Sequence, residues 1–201
     1  RRRTIGPMSL AIHLLGRPWV EAGGVDRPSP RGHKPWALLA LIVLSEAPLP
    51  RERLAGLLFG DVEDPLASLR WNLAELRRLL GPEAKVGGDP VQLELPLDAR
   101  IDVHTVRSGT WVEALRVPGL GRELLEGVQP AAGAAFEAWL LAERRRLAGE
   151  ASGMLREAAN ARLATGDAAS AVELATRLVT VDDYDEEAHA LLIRAHVAAG
   201  N

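Results

Sequence analysis

Between Pro65 and Leu80 the chain sets Ser68, Arg70, Trp71, Asn72, Glu75, Arg77 and Arg78 close together. These are side chains that can read the polar edges of nucleic-acid bases. An arginine fork matches the two acceptors of guanine, an asparagine amide matches adenine, and a glutamate accepts from the amino group of cytosine. Serine serves either role. Trp71 can contact thymine methyl groups or pack against a neighbouring helix. A second set, His33, Lys34, Arg51, Arg53 and Lys85 with Arg77 and Arg78, supplies cations that suit backbone phosphates. Taken singly, each is the ordinary solvated charge of a protein surface, so position must decide.

Other chemistry finds little material. There is no cysteine, which excludes thiol nucleophiles, disulfides and cysteine-bound zinc. The five histidines, at 13, 33, 104, 189 and 196, have no metal-ligand spacing. No phosphate loop ending in Gly-Lys and no Gly-x-Ser-x-Gly elbow occurs. The expectation is a protein that is not an enzyme and carries no metal or cofactor.

The elements around the 65–80 stretch give it a place. Leu66, Leu69, Leu73, Leu76 and Leu80 recur at spacings of 3, 4, 3 and 4, the core stripe of an amphipathic helix. Trp71 and Arg78 fall nearly opposite that stripe, with Ala67, Ala74 and Glu75 beside them. Arg70 and Arg77 flank one edge, and Ser68 and Asn72 lie toward the other. Three short strands precede it, at Ser9–Leu15, Trp19–Glu21 and Val25–Arg27. A helix over Trp36–Ser45, with Pro35 in its first turn, and a second over Arg51–Phe59 follow. Gly81-Pro82 stops the third helix, and Val86 and Val91–Leu95 bracket Gly87-Gly88-Asp89-Pro90 as a β-hairpin. Three strands, three helices and a hairpin are the order of an α+β winged helix-turn-helix, whose last helix enters the major groove while the ribbon touches flanking backbone. The leading strands narrow this to the OmpR/PhoB type.

Composition bounds the rest. The 201 residues carry 24 basic and 27 acidic side chains, a net charge of −3. That argues mildly against nucleic-acid binding, which usually uses a basic domain. Residues 8–100 hold 11 basic and 12 acidic side chains, and residues 101–201 hold 10 and 15. The deficit therefore sits in the second half. The longest apolar run, Trp36–Leu44, is far short of a membrane span. Residues 1–7 read as an appended remnant ahead of a natural start at Met8. From about residue 99 the chain is rich in Ala, Leu and Glu, which predicts a winged-helix domain over 8–98 and an all-α domain over 99–201. Gly166 and Gly200 lie 34 residues apart, the period of a tetratricopeptide repeat. In that frame the chain ends inside a second helix pair, as a fragment of a longer protein would.

Leu38-Leu39-Ala40-Leu41 and Arg51-Glu52-Arg53-Leu54-Ala55-Gly56-Leu57-Leu58-Phe59-Gly60-Asp61 resemble the SARP-type bacterial activators, the antibiotic-regulatory-protein family. Leu76-Arg77-Arg78-Leu79-Leu80-Gly81 is similar to the end of their third helix. Phe136-Glu137-Ala138-Trp139-Leu140 with Glu143-Arg144-Arg145-Arg146-Leu147 resembles the bacterial transcriptional activator domain that follows in that family. The resemblance implies a cytoplasmic, sequence-specific transcriptional activator on double-stranded promoter DNA, bound as a homodimer and without a membrane anchor. It implies base-facing roles for Ser68, Arg70, Trp71, Asn72 and Glu75, and phosphate roles for His33, Lys34, Arg51, Arg53, Arg77, Arg78 and Lys85. The acidic loop Asp61, Val62, Glu63 and Asp64 corresponds to the segment facing RNA polymerase, or is an ordinary helix-capping connection. The wing tip Gly87–Pro90 departs from the family by offering an acid instead of a cation. An alternative class remains open, a protein-interaction or ligand-sensing module whose winged helix no longer reads DNA.

Overall fold

The computed structural model describes residues 9–200. Residues 1–8, which include the segment 1–7 read from sequence as a remnant, and Asn201 lie outside the described residues. Strand β1 (Leu10–His13) pairs antiparallel with β2 (Trp19–Ala22), and β2 pairs with β3 (Val25–Asp26) through the Gly23-Gly24 turn. Alternation explains the pairing face, since Val20 and Ala22 of β2 are buried while Trp19 and Glu21 between them are half-buried.

Three helices follow: α1 (Lys34–Leu44), α2 (Arg51–Phe59) and α3 (Pro65–Leu80). Helix α1 is apolar on every side after Lys34 and is enclosed accordingly, with nine buried residues including Trp36, Leu38 and Leu41. Helix α3 has clear start and stop signals. The Asp64 carboxylate accepts from the Ala67 N–H at 2.8 Å, Pro65 occupies the first turn, and Gly81 turns the chain at φ 76°. Its buried face is broader than the leucine stripe. Leu79 joins Leu69, Leu73, Leu76 and Leu80 inside, whereas Leu66 is 39% exposed.

Strands β4 (Lys85–Gly87) and β5 (Gln92–Glu94) form the hairpin after α3. Val91 donates to the Leu49 carbonyl at 2.9 Å, so the segment between α1 and α2 adds a short third edge to the ribbon. Strand β6 (Arg100–Ile101) then returns to the first sheet and pairs parallel with β1, giving the order β3-β2-β1-β6.

The remainder is helical: α4 (Asp102–Ser108), α5 (Trp111–Ala114), α6 (Ala134–Ala164), α7 (Ala168–Val181) and α8 (Glu186–Ala199). Thr110 and Glu113 form a reciprocal capping box on α5, and Asp167 and Asp185 cap α7 and α8. Gly166 and Gly200, the two glycines set 34 apart, both adopt left-handed φ, 78° and 81°. Each ends a helix, so the repeat spacing reflects repeated helix termination. Ala171, Ala175, Ala188 and Ala195 are fully buried, and these small side chains bring α7 and α8 close together.

The chain divides into two compact units. The first comprises the residues to Ile101 together with Leu125–Ala142; the second comprises Asp102–Leu124 and the residues from Glu143. Segment 125–142, which composition alone groups with the helical half, therefore belongs with the strands. Backbone bonds show why: Leu125 N donates to Leu14 O at 2.8 Å and Glu126 N to Gly16 O at 2.9 Å. Phe136 is fully buried and lies 5.4 Å from the Trp139 ring. No helix among the described residues is long and apolar enough to cross a membrane.

Candidate nucleic-acid interface

Helix α3 presents one continuous exposed face. Arg70, Trp71, Ala74, Arg77 and Arg78 are exposed, Ala67 and Ser68 are half-buried, and Trp71 is 49% exposed. Of the two sequence-level readings of Trp71, burial among neighbouring helices is not the one observed.

Two residues expected on that face are not there. Asn72 is 4% exposed and Glu75 3%. The Asn72 Nδ2 donates to the Ser68 carbonyl one turn earlier at 2.8 Å, and its Oδ1 is buried without a hydrogen-bond partner. Glu75 Oε1 accepts from the Arg78 guanidinium at 2.6 Å, and its Oε2 accepts from the Arg31 backbone N–H at 3.4 Å. The loop before α1 thus covers the flank of α3 that helical periodicity leaves open. The Arg78 hydrogen bond is the chief cause holding the Glu75 carboxyl below its ordinary range, partly offset by burial. Neither residue can face a base in this arrangement.

The arginines differ in their engagement. Arg70 lies 3.8 Å from Asp64 with both groups well exposed, a pairing weak enough to exchange for another partner. Arg77 donates from Nε to the Val86 carbonyl at 2.9 Å, which fixes the hairpin against the end of α3. Arg78 keeps two-thirds of its side chain exposed while bonded to Glu75. Around this end of α3, Arg27, Arg77, Arg78 and Lys85 line an open cavity of about 540 Å³. Arg27, held by Glu83 at 3.0 Å, was missed from sequence. It sits at the end of a short strand with no periodic signal.

The expected phosphate donors are likewise divided. Arg53 is exposed on α2, and Lys85 is exposed beside Glu94 across the hairpin at 3.4 Å. Lys34 places its Nζ 4.7 Å above the Phe59 ring, and His33 accepts at Nδ1 from the Gln129 N–H at 2.9 Å. Arg51 is tied to the hairpin tip, its Nε donating to Gly88 O at 2.8 Å and its backbone N–H to Asp89 Oδ1 at 3.0 Å. The acid at the tip therefore has a local task. The residue before α2, Pro50, offers no side-chain cap, and Asp89 supplies the missing acceptor from a distant loop.

Asp61, Val62, Glu63 and Asp64 are all exposed between α2 and α3. In the helical unit, Arg144 pairs with Glu123 at 3.0 Å and Arg146 with Glu150 at 3.2 Å, so two of the three consecutive arginines bind acids of their own unit. Arg156 joins Asp185 at 2.6 Å and also Glu187. Among the described residues no group of three or more His, Cys, Asp or Glu side chains is arranged to hold a metal ion.

These elements define a two-part architecture, a strand-and-helix unit with an exposed cationic helix and a helical unit in which α7 packs on α8. Residues 100–201, just over half of the sequence, match the family model of the bacterial transcriptional activator domain, and the chain belongs to that family. No curated protein matches it. Among solved structures it is similar to Mycobacterium tuberculosis EmbR in complex with a low-affinity phosphopeptide, at a TM-score of 0.63 and 21% identity. That match covers 95% of this chain and 55% of the other. The likeness is one of fold, and the chain spans about half the length of that relative.

Proposed function

We propose that the protein is a sequence-specific DNA-binding transcriptional activator of the SARP type. In this reading residues 8–98 form an OmpR/PhoB-type winged helix, and 99–201 form the activator portion. The observation that carries it is the exposed face of α3, where Arg70, Arg77 and Arg78 stand with Trp71 beside a hairpin and apart from any exposed acid of the same helix. A helix that buries five leucines and turns this face to solvent is built to meet a polyanion.

Arg70 and Trp71 would meet base edges, with Ser68 at the margin. Arg53, Arg78 and Lys85 would contact phosphates. Arg51 and Arg77 would brace the hairpin, and Asp61–Asp64 would face RNA polymerase. The net charge of −3 matches a lone protomer of modest, salt-sensitive affinity, and a homodimer on cytoplasmic promoter DNA compensates by neutralising more phosphates.

Binding to promoter duplexes across a salt series tests this. A steep fall of affinity with salt that flattens in Arg70→Ala or Arg78→Ala is expected. Absence of binding above non-specific levels at low salt overturns the proposal and favours a protein-interaction module. The occupied side chains of His33, Lys34 and Arg51 are what that second reading rests on.

A further inference from the structure

The burial of Asn72 and Glu75 changes what α3 has available for reading a base pair. The asparagine suited to adenine and the glutamate suited to cytosine are both withdrawn, at 4% and 3% exposure. What remains exposed or half-buried on that face is Ala67, Ser68, Arg70, Trp71, Ala74, Arg77 and Arg78, and Arg77 is already bonded to the Val86 carbonyl.

Their arrangement is ordered. At about 100° per residue, Ala67 and Ala74 fall within about 20° of each other at the centre of the face, with Arg70 and Arg77 on one side and Trp71 and Arg78 on the other. Two methyl side chains at the centre let the helix axis approach the groove floor closely. The Trp71 indole, 49% exposed, stands as an apolar wall beside them. The apolar feature that the floor of the major groove offers is the 5-methyl group of thymine, which alanine and aromatic side chains contact directly.

We propose that Trp71, with Ala67 and Ala74, is the specificity-determining element of α3 and reads thymine 5-methyl groups, while Arg70 reads a flanking guanine. Arg70 is the arginine suited to the second role, because among the described residues its guanidinium is engaged by nothing closer than the exposed contact to Asp64 at 3.8 Å. The preferred half-site is thymine-rich at its centre with a guanine on the Arg70 side. This inference rests on the DNA-reading function proposed above, and the test separates the two.

The 201-residue chain is selected against a library of duplexes with a randomised core. The enriched duplex is then resynthesised with deoxyuridine for every core thymidine, a change that removes the methyl groups and leaves base pairing intact. Wild type is expected to lose about three- to fivefold in affinity for each contacted methyl. Trp71→Ala is expected to bring the thymidine-to-deoxyuridine ratio close to one. An enriched duplex bound equally well in both forms overturns the methyl reading and leaves sequence-specific binding standing. A full ratio retained by Trp71→Ala overturns the assignment to Trp71. No enriched sequence at all overturns DNA reading, and this inference with it.

Discussion

Asp89→Ala tests the link between the hairpin tip and α2 by setting two effects in opposition. The substitution removes the acceptor that takes the Arg51 backbone N–H at 3.0 Å and leaves α2, which has no side-chain cap at Pro50, with that donor unpaired. Loss of an N-cap acceptor costs about 0.5–2 kcal/mol, typically about 1. For a chain of 201 residues that corresponds to a fall in Tm of roughly 2–4 °C per kcal/mol. The Arg51 Nε bond to Gly88 O at 2.8 Å should survive in part, so a value near 1 kcal/mol is expected. Asp89→Asn keeps a side-chain carbonyl in place and should lose less than half as much. Amide exchange at Arg51 gives a local measure beside urea unfolding, and it should accelerate in Asp89→Ala while the middle of α3 stays protected. Removing an acid beside a phosphate-facing surface should meanwhile strengthen low-salt DNA binding. Stability therefore falls as non-specific affinity rises. An Arg51 amide that exchanges equally fast in wild type and Asp89→Ala refutes the capping role, and a stability loss without any gain in DNA affinity refutes the placement of the tip near phosphates.

Three further outcomes follow from the geometry. Leu73→Ala, at a site 1% exposed, should cost about 2–5 kcal/mol in urea unfolding, whereas Trp71→Ala two residues earlier should change stability by less than about 0.5 kcal/mol. Glu75 has a folded-state pKa below its unfolded value because of Arg78, so its stabilisation is present above the unfolded carboxylate range and is lost as pH falls through the lower folded value. Stability measured against pH should lose that part of its acid slope in Glu75→Gln. Gly121→Ala should destabilise the helical unit by about 1–2 kcal/mol, since Gly121 sits at φ 83° and an added Cβ would lie 2.9 Å from Val181 Cγ2; an unchanged unfolding midpoint would contradict it.

Local signals were legible and non-local ones were not. The third helix runs from Pro65 to Leu80 as its leucine spacing predicts, and α2 runs from Arg51 to Phe59, because proline, capping and glycine signals act within a few residues. The hairpin of β4 and β5 lies where Val86 and Val91 bracket the glycines. Periodicity also placed Trp71 and Arg78 on the exposed face. It failed at Asn72 and Glu75, since helical angle says which way a side chain leaves the helix and nothing about the loop at Arg31 that covers it. The Arg78–Glu75 pair, three residues apart, was the one available hint, because a carboxylate already shared with an arginine is poorly placed to accept from a base. Strand β6 was invisible for another reason: two residues pairing parallel with β1 carry no pattern of their own. The same holds for Asp89, whose charge suggested an obstacle to DNA and whose geometry shows a cap.

The return of segment 125–142 to the first unit has a consequence for synthesis. Leu14 and Gly16 wait for the N–H groups of Leu125 and Glu126, and the first unit is complete only when Phe136 arrives. At about 5–20 residues per second, a ribosome needs roughly 2–8 s to advance from Ile101 to Ala142. During that interval the docking places of Leu125, Glu126 and Phe136 stand open on a tethered chain, and Asp102–Leu124 of the second unit emerges before the first can close. A gene fragment cut after residue 98 would hold the nascent protein at that unfinished stage permanently.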